Sequence, residues 1–330
     1  MHSVKSLLIL LALIFLTTPL HAKPITIKFS HVVAKDTPKG QAAAFLKQRL
    51  EKRSSGRIRV KIYPNATLYG DRAALAALQS NEIQLAAPSF AKFIDYSPQL
   101  QLFDLPFLFH DTKHLHRVLD GEVGQALLTL ASKGTLRALS FWDNGFKQLT
   151  ANRPLITPDD AKALKFRIMS SEVLQAQFRA IGANPQILPF SEVYSALQQG
   201  VVAGQENTLS NIYTKRFHLV QSDLTISNHG YLGYLLVTND IFWNKLPDDL
   251  KQIFSDVIVE TTLFARQIAA QVKNDYLAKI ESSATIKIHH LTPDQRALWQ
   301  KKMLSIYPDF YKLIGEELIK KSQQQAQINP

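Results

Sequence analysis

The chain contains no cysteine. That removes disulfides, thiolate metal sites, a thiol nucleophile and a lipidated cysteine anchor, and it excludes the small disulfide-stapled secreted scaffolds. No Gly-x-Ser-x-Gly elbow, Walker loop, His-Glu-x-x-His pair or zinc-ribbon spacing occurs. Beyond the first 22 residues no run is apolar enough to cross a bilayer. Recognisable catalytic apparatus is therefore missing, which turns attention from chemistry to binding.

The first segment has the layout of a secretory signal: Lys5, an apolar run from Leu7 to Leu16, then Leu20-His21-Ala22 as a cleavage site. A signal over residues 1–22 sends the protein across the inner membrane. An uncleaved anchor is the alternative, and the apolar run falls short of the ~20 residues a span needs. The remaining length suits two lobes with separate cores. The formal charge is +11. The basic residues are scattered along helical stretches (Lys47, Arg49, Lys52, Arg53; Lys301, Lys302; Lys320, Lys321) and no nucleic-acid motif accompanies them. Solvated faces that attract anionic solutes explain them better than nucleic acid does.

Periodicity gives the organisation. Residues 25–29 alternate as a strand, Thr37-Pro38 opens a helix, residues 58–63 form a second strand, Asp71 caps a second helix and residues 83–87 form a third strand. This β-α-β-α-β order predicts a parallel sheet with right-handed crossovers. The order recurs: a strand over 164–169, a helix Glu172–Ile181 capped by Ser170 or Ser171, a short strand over 185–188, and a helix from Glu192 to Gln199 capped by Ser191 and closed by Gly200. Two such units predict an α/β protein of two lobes with a central cleft at the strand ends. From Pro247 to about Ile280 one uninterrupted helical pattern runs too far for a single lobe, so it is expected to span both. The expected division is 23–144 plus about 233–272 in lobe I, and 145–232 plus about 273–330 in lobe II.

Along residues 164–169 the apolar Leu164, Phe166 and Ile168 share one face, and Arg167 leaves the other beside the helix start at Ser170-Ser171. A guanidinium fork next to free helix N–H groups suits a carboxylate. A structural arginine paired with Asp or Glu fits the same pattern. Asn207 follows a strand end in the same lobe and can orient a carboxylate, or serve as a turn residue. Phe190 reads as a cleft wall or a core residue. Trp142-Asp143-Asn144-Gly145-Phe146-Lys147 joins the lobes and mixes an aromatic, polar groups and a cation; Lys35 could bring a second charge from lobe I. His110 and His114 have helix-ligand spacing but no acidic partner set, so no metal or other cofactor is expected.

The segments Phe29 to Gly40, Tyr63-Pro64-Asn65, Phe103-Asp104-Leu105-Pro106, Trp142 to Lys147, Gly182 to Gln186, Phe190 to Tyr194 and Asn228 to Tyr234 together closely resemble the solute-binding proteins of tripartite ATP-independent periplasmic (TRAP) transporters, DctP type. The resemblance implies a type II-like periplasmic binding protein fold, no enzymatic activity, a C4-dicarboxylate ligand such as succinate, fumarate or malate, and a periplasmic, mostly monomeric protein. It implies a membrane permease of one small and one large subunit as partner. It places the family's carboxylate-forking arginine at Arg167, its orienting asparagine at Asn207 and its pocket phenylalanine at Phe190, with further cleft positions at Ser89 and Lys147. Where sialic-acid-binding relatives carry an acid and an arginine at those last two, this chain differs. Lys35, Trp142, Asn144, Ser170 and Tyr231 complete the expected ligand-binding set. Ala163 stands where the family usually has glycine, and Thr208 where proline usually follows Asn207. Another organic acid (2-oxo, aromatic or sugar acid), a sensory subunit and a periplasmic metal-dependent lyase using His110 and His114 are the competing readings.

Overall fold

The computed structural model describes residues 23–326, so the expected signal segment lies outside the described residues. In the first half, β1 (Ile25–Ser30), β2 (Ile58–Tyr63) and β3 (Leu85–Ala86) alternate with α1 (Pro38–Arg53) and α2 (Asp71–Gln79). The pairs β1–β2 and β1–β3 are both parallel, as the β-α-β pattern requires. Thr37 caps α1 by accepting from Gly40 N, with Pro38 in its first turn. Asp71 is the first helical residue of α2 and Gly70 holds the cap, so the expected Asp71 cap is displaced by one position. Helices α3 (Thr112–Asp120) and α4 (Glu122–Ala131) follow.

Two long strands organise the molecule. β4 (Leu136–Ala151) and β8 (Asp223–Asn239) run antiparallel from Leu136 opposite Asn239 to Ala151 opposite Asp223. The first-half strands join at β3, whose Ala86 pairs with Val237. The second half joins at the other end. There β7 (Gly204–Asn207) pairs with β4, and β5 (Lys165–Ile168) lies parallel to both β7 and β6 (Asn184–Ile187). The order is β2-β1-β3-β8-β4-β7-β5-β6, with β9 (Lys287–His290) added to β8. The repeated β-α-β units are thus the two ends of one sheet path.

Helix α5 (Glu172–Ala180) is capped by Ser171, whereas Ser191 caps nothing: a short 3-10 turn, Phe190–Glu192, precedes α6 (Val193–Gln198). Gly200 sits at φ +71°, the left-handed residue expected after a helix end. After α7 (Leu209–Thr214) and α8 (Asp240–Lys245), α9 (Asp248–Ser283) is the long helix foreseen. Its Phe254, Val257 and Ala265 pack with Phe29, Leu46 and Trp142 of the first half, while its Tyr276 and Ile280 pack with Leu197, Phe217 and Leu224 of the second. Helices α10 (Pro293–Met303) and α11 (Glu316–Gln324) finish the chain, Trp299 of α10 sealing the core under Phe166 and Phe178. No described helix is long and apolar enough to cross a membrane.

Candidate functional site

The site lies where the two ends of the sheet face each other. Met169, Arg167 and Asn207 come from the ends of β5 and β7; Val32, Val33 and Ser89 come from the turns after β1 and β3. Lys147 of β4, Leu232 and Tyr234 of β8, and Phe190 complete most of the wall of a cavity of about 30 Å³. Ser89 Oγ approaches Met169 Sδ at 3.4 Å from the opposite half. Lys215 donates to Asn65 Oδ1 at 3.0 Å, also across the gap. The lobes are closed, and Arg167 is only 2% exposed.

Arg167 is held by the backbone. Its Nε and Nη2 both donate to the Leu188 carbonyl, at 3.1 and 2.9 Å, and its guanidinium lies 5.9 Å from the Phe190 ring centre. It makes no ion pair with Asp or Glu among the described residues. A buried guanidinium without a carboxylate partner is costly. Burial lowers its pKa to about 10, with Glu206 and Asp71 opposing the shift, so it remains a cation at neutral pH.

Lys147 has a different environment. Its Nζ bonds Glu206 Oε1 at 2.7 Å, and His229 Nε2 bonds Glu206 Oε2 at 2.9 Å, all three side chains being buried. Burial alone would raise the Glu206 pKa, but Lys147 and His229 outweigh it and hold the carboxyl at about 2. Lys147 therefore lines the cavity as a neutralised cation with N–H groups to spare. Asn207 is fixed by its neighbours: its Oδ1 accepts from Thr208 N (3.1 Å) and Asn211 Nδ2 (2.8 Å), and its amide donates to Gln205 Oε1 at 3.3 Å. The Thr208 bond is one a proline there could not make. Ala163 adopts φ +61°, which explains why glycine suits its position.

Several expected residues stand elsewhere. Lys35 is exposed and does not reach the cavity. Trp142 is a core residue against Phe29, their ring centres 6.0 Å apart. Tyr231 points to the far face of the sheet, because side chains alternate along a strand and Leu232 and Tyr234, two residues apart, share the face opposite to it; its hydroxyl donates to Asp143 at 2.9 Å. Asn144 also faces away, past a register shift at Asp143–Gly145, but its amide donates to the Tyr234 hydroxyl at 2.7 Å and so steadies a cavity wall from behind. Ser170 borders an outer groove with Ile187 and Pro189. The start of α5 is not free for a ligand either. Gln101 of the first half inserts its Oε1, accepting from Glu172 N (2.7 Å), Val173 N (3.3 Å) and Ser171 Oγ (3.1 Å).

Residues not anticipated from the sequence also line the cavity: Lys92, Asp71, Asn211 and Tyr234. Lys92 ends the 3-10 turn Phe90–Lys92 that begins just after Ser89, and burial lowers its pKa. A cation six residues beyond the end of a parallel strand was the available signal. His114 is taken up structurally, its Nε2 on the Ser322 carbonyl at 2.7 Å and its Nδ1 accepting from His110 N at 3.3 Å. Among the described residues no group of three or more His, Asp or Glu could hold a metal ion.

Comparison with known proteins agrees with this architecture. The family described as "Bacterial extracellular solute-binding protein, family 7" (DctP) matches residues 29–313. The C4-dicarboxylate-binding periplasmic protein DctP of Rhodobacter capsulatus is 45% identical over 92% of each chain. A TRAP periplasmic solute-binding protein from Sulfurospirillum deleyianum, solved with bound succinate, is 54% identical with a TM-score of 0.89, covering 92% of this chain and 99% of that one. One from Pseudomonas aeruginosa, solved with bound L-malate, is 38% identical with a TM-score of 0.85, covering 87% and 100%. A cleft lined by cations, carried on this fold and matched along nearly its whole length, makes the chain a member of the DctP family of extracellular solute-binding proteins, which are receptors rather than enzymes.

Proposed function

We propose that this protein is the periplasmic receptor of a TRAP transporter and binds a C4-dicarboxylate of the succinate, fumarate or malate class. The observation that carries the reading is Arg167: a buried guanidinium, braced by a carbonyl, with no ion pair to an acid among the described residues. A ligand carboxylate supplies the missing charge, and Asn207 beside it orients that group. Lys92 and the spare N–H groups of Lys147 serve the second carboxylate. Relatives named for C4-dicarboxylates, and neighbours holding succinate and malate, support the same class.

Residues 23–144 with about 233–272 form one lobe in this reading, and 145–232 with about 273–330 the other. Arg167 is too buried for a solute to reach in the closed form, so the lobes part to admit it and shut upon it. The closed, loaded protein then docks as a monomer on the small and large permease subunits. Titration calorimetry against succinate, fumarate, malate, galactonate and orotate tests the ligand class. Tight binding of the C4 acids alone is expected; preference for a sugar acid or orotate overturns it.

A further inference from the structure

A second cavity, of about 390 Å³, lies on the opposite face of the central strands. Strand alternation separates the two: in β4, Lys147 lines the ligand cavity while Phe146 and Gln148 line the second; in β8, Leu232 lines the first and Tyr231 the second. Ala269, Val272 and Lys273 of α9 supply a third wall. The second cavity therefore touches β4, β8 and α9, the segments that pass from one half of the protein to the other. The strands are irregular here. Register shifts occur at Asp143–Gly145 and Lys147–Leu149, and Asn228 sits at φ +45°.

The charges around it are unevenly satisfied. Asp143 spends both carboxylate oxygens internally, on His116 Nε2 (2.6 Å) and the Tyr231 hydroxyl (2.9 Å). Asp111 caps α3 by accepting from His114 N. Arg296 of α10 makes no ion pair and no side-chain hydrogen bond among the described residues; it rests over the Phe107 ring at 4.9 Å, and burial lowers its pKa. Lys273 stands exposed nearby, and Leu115, Phe146 and Leu209 give the cavity an apolar lining. An unclaimed guanidinium on an aromatic ring, above an apolar floor, is a setting for an anion with a hydrophobic body.

We propose that this cavity is a second binding site, for a small aromatic carboxylate, and that its occupancy favours the closed arrangement of the lobes. The coupling has a physical route. Asn144 borders the second cavity, accepts from Ser210 Oγ (2.9 Å) and donates to the hydroxyl of Tyr234, which lines the first. A molecule that touches all three crossing segments at once fits one relative setting of the halves better than another. Such differential binding shifts the equilibrium, and the effect is reciprocal between the two ligands.

The second site stands on Arg296 alone, whereas the coupling also rests on the dicarboxylate reading. Benzoate is titrated into the mature protein saturated with succinate, and succinate release is followed by intrinsic tryptophan fluorescence. Benzoate is expected to bind without displacing succinate and to slow its release roughly fivefold. Arg296→Gln, or Ala270→Trp as a plug on the exposed side of α9, is expected to abolish both effects. Arg167→Ala is expected to keep benzoate binding while losing succinate. Absence of benzoate binding, simple competition with succinate, or full binding in both the Arg296→Gln and Ala270→Trp variants overturns the second site. Arg296-dependent binding with unchanged succinate release overturns the coupling. If the wild type binds benzoate through Arg296 but never succinate, the dicarboxylate reading fails and the second site stands.

Discussion

Replacing Arg167 by alanine removes a buried cation that makes no ion pair with an acid among the described residues. In the ligand-bound protein it would leave a carboxylate desolvated and unpaired, a loss of about 3–5 kcal/mol. That corresponds to a decrease in affinity of roughly 150- to 5,000-fold. Arg167 also donates twice to the Leu188 carbonyl, so the ligand-free protein loses something as well. The carbonyl left without its donors costs about 1–3 kcal/mol. Relief from burying a cation opposes that cost, so the net change in ligand-free melting temperature is expected to be small. The two effects separate experimentally. Calorimetry with succinate at neutral pH reads the first; thermal unfolding without ligand reads the second. Saturating succinate at 100 times Kd adds about 2.7 kcal/mol of stability to the wild type by mass action, and the variant is expected to show none of it at the same concentration. An affinity within a few-fold of wild type, in a variant that melts normally, would refute the assignment of Arg167 as the carboxylate anchor.

Lys92→Met is expected to weaken succinate by tenfold or more, about 1.4 kcal/mol or above, while leaving a monocarboxylate such as butyrate unchanged; equal losses for both acids in calorimetry argue against a distal-carboxylate role. Glu206→Gln leaves Lys147 without its counter-ion and His229 without its carboxylate partner, and is expected to cost about 3–5 kcal/mol of stability, read by urea unfolding at neutral pH. The same residue sets an acid limb. Its folded pKa of about 2 lies below the ordinary 4.5, so its contribution is present above pH 4.5 and fades as the pH falls toward 2; Glu206→Gln is expected to flatten that stretch of the stability curve. Gly204→Ala would bring a Cβ to 2.6 Å from the Thr150 carbonyl and 2.7 Å from the Phe166 ring, and a loss of about 1–3 kcal/mol in chemical denaturation is expected.

Local chemistry made much of this protein legible. Thr37-Pro38 and Ser171 announce helix starts through capping, and the alternation of residues 25–29 and 58–63 announces strands. The failures are equally physical. β3 is two residues long, because Pro88 and the following turn divert the chain, so a five-residue strand was too generous. β4 and β8 are long and almost entirely buried or half-buried, and a strand shielded on both faces loses the alternation that would reveal its extent. Arg167, Asn207, Phe190, Ser89 and Lys147 do meet in one cavity. Trp142, Asn144 and Tyr231 do not, since register shifts interrupt the alternation along β4 and β8 and cannot be read along the chain. Gln101 filling the start of α5 is a contact between residues 70 apart, with no local signal at all.

The long helix has a mechanical consequence. Arg53 and Arg57 fasten the early turns of α9 to the first half through Asp256, Glu260 and Asp249, while its later turns are embedded beneath Phe217 and Leu224. A rod held at both ends, flanked by two continuous strands, is expected to hinder independent swivelling of the halves. Both halves draw on α9 to complete their interiors, so heating is expected to melt the molecule in one cooperative step.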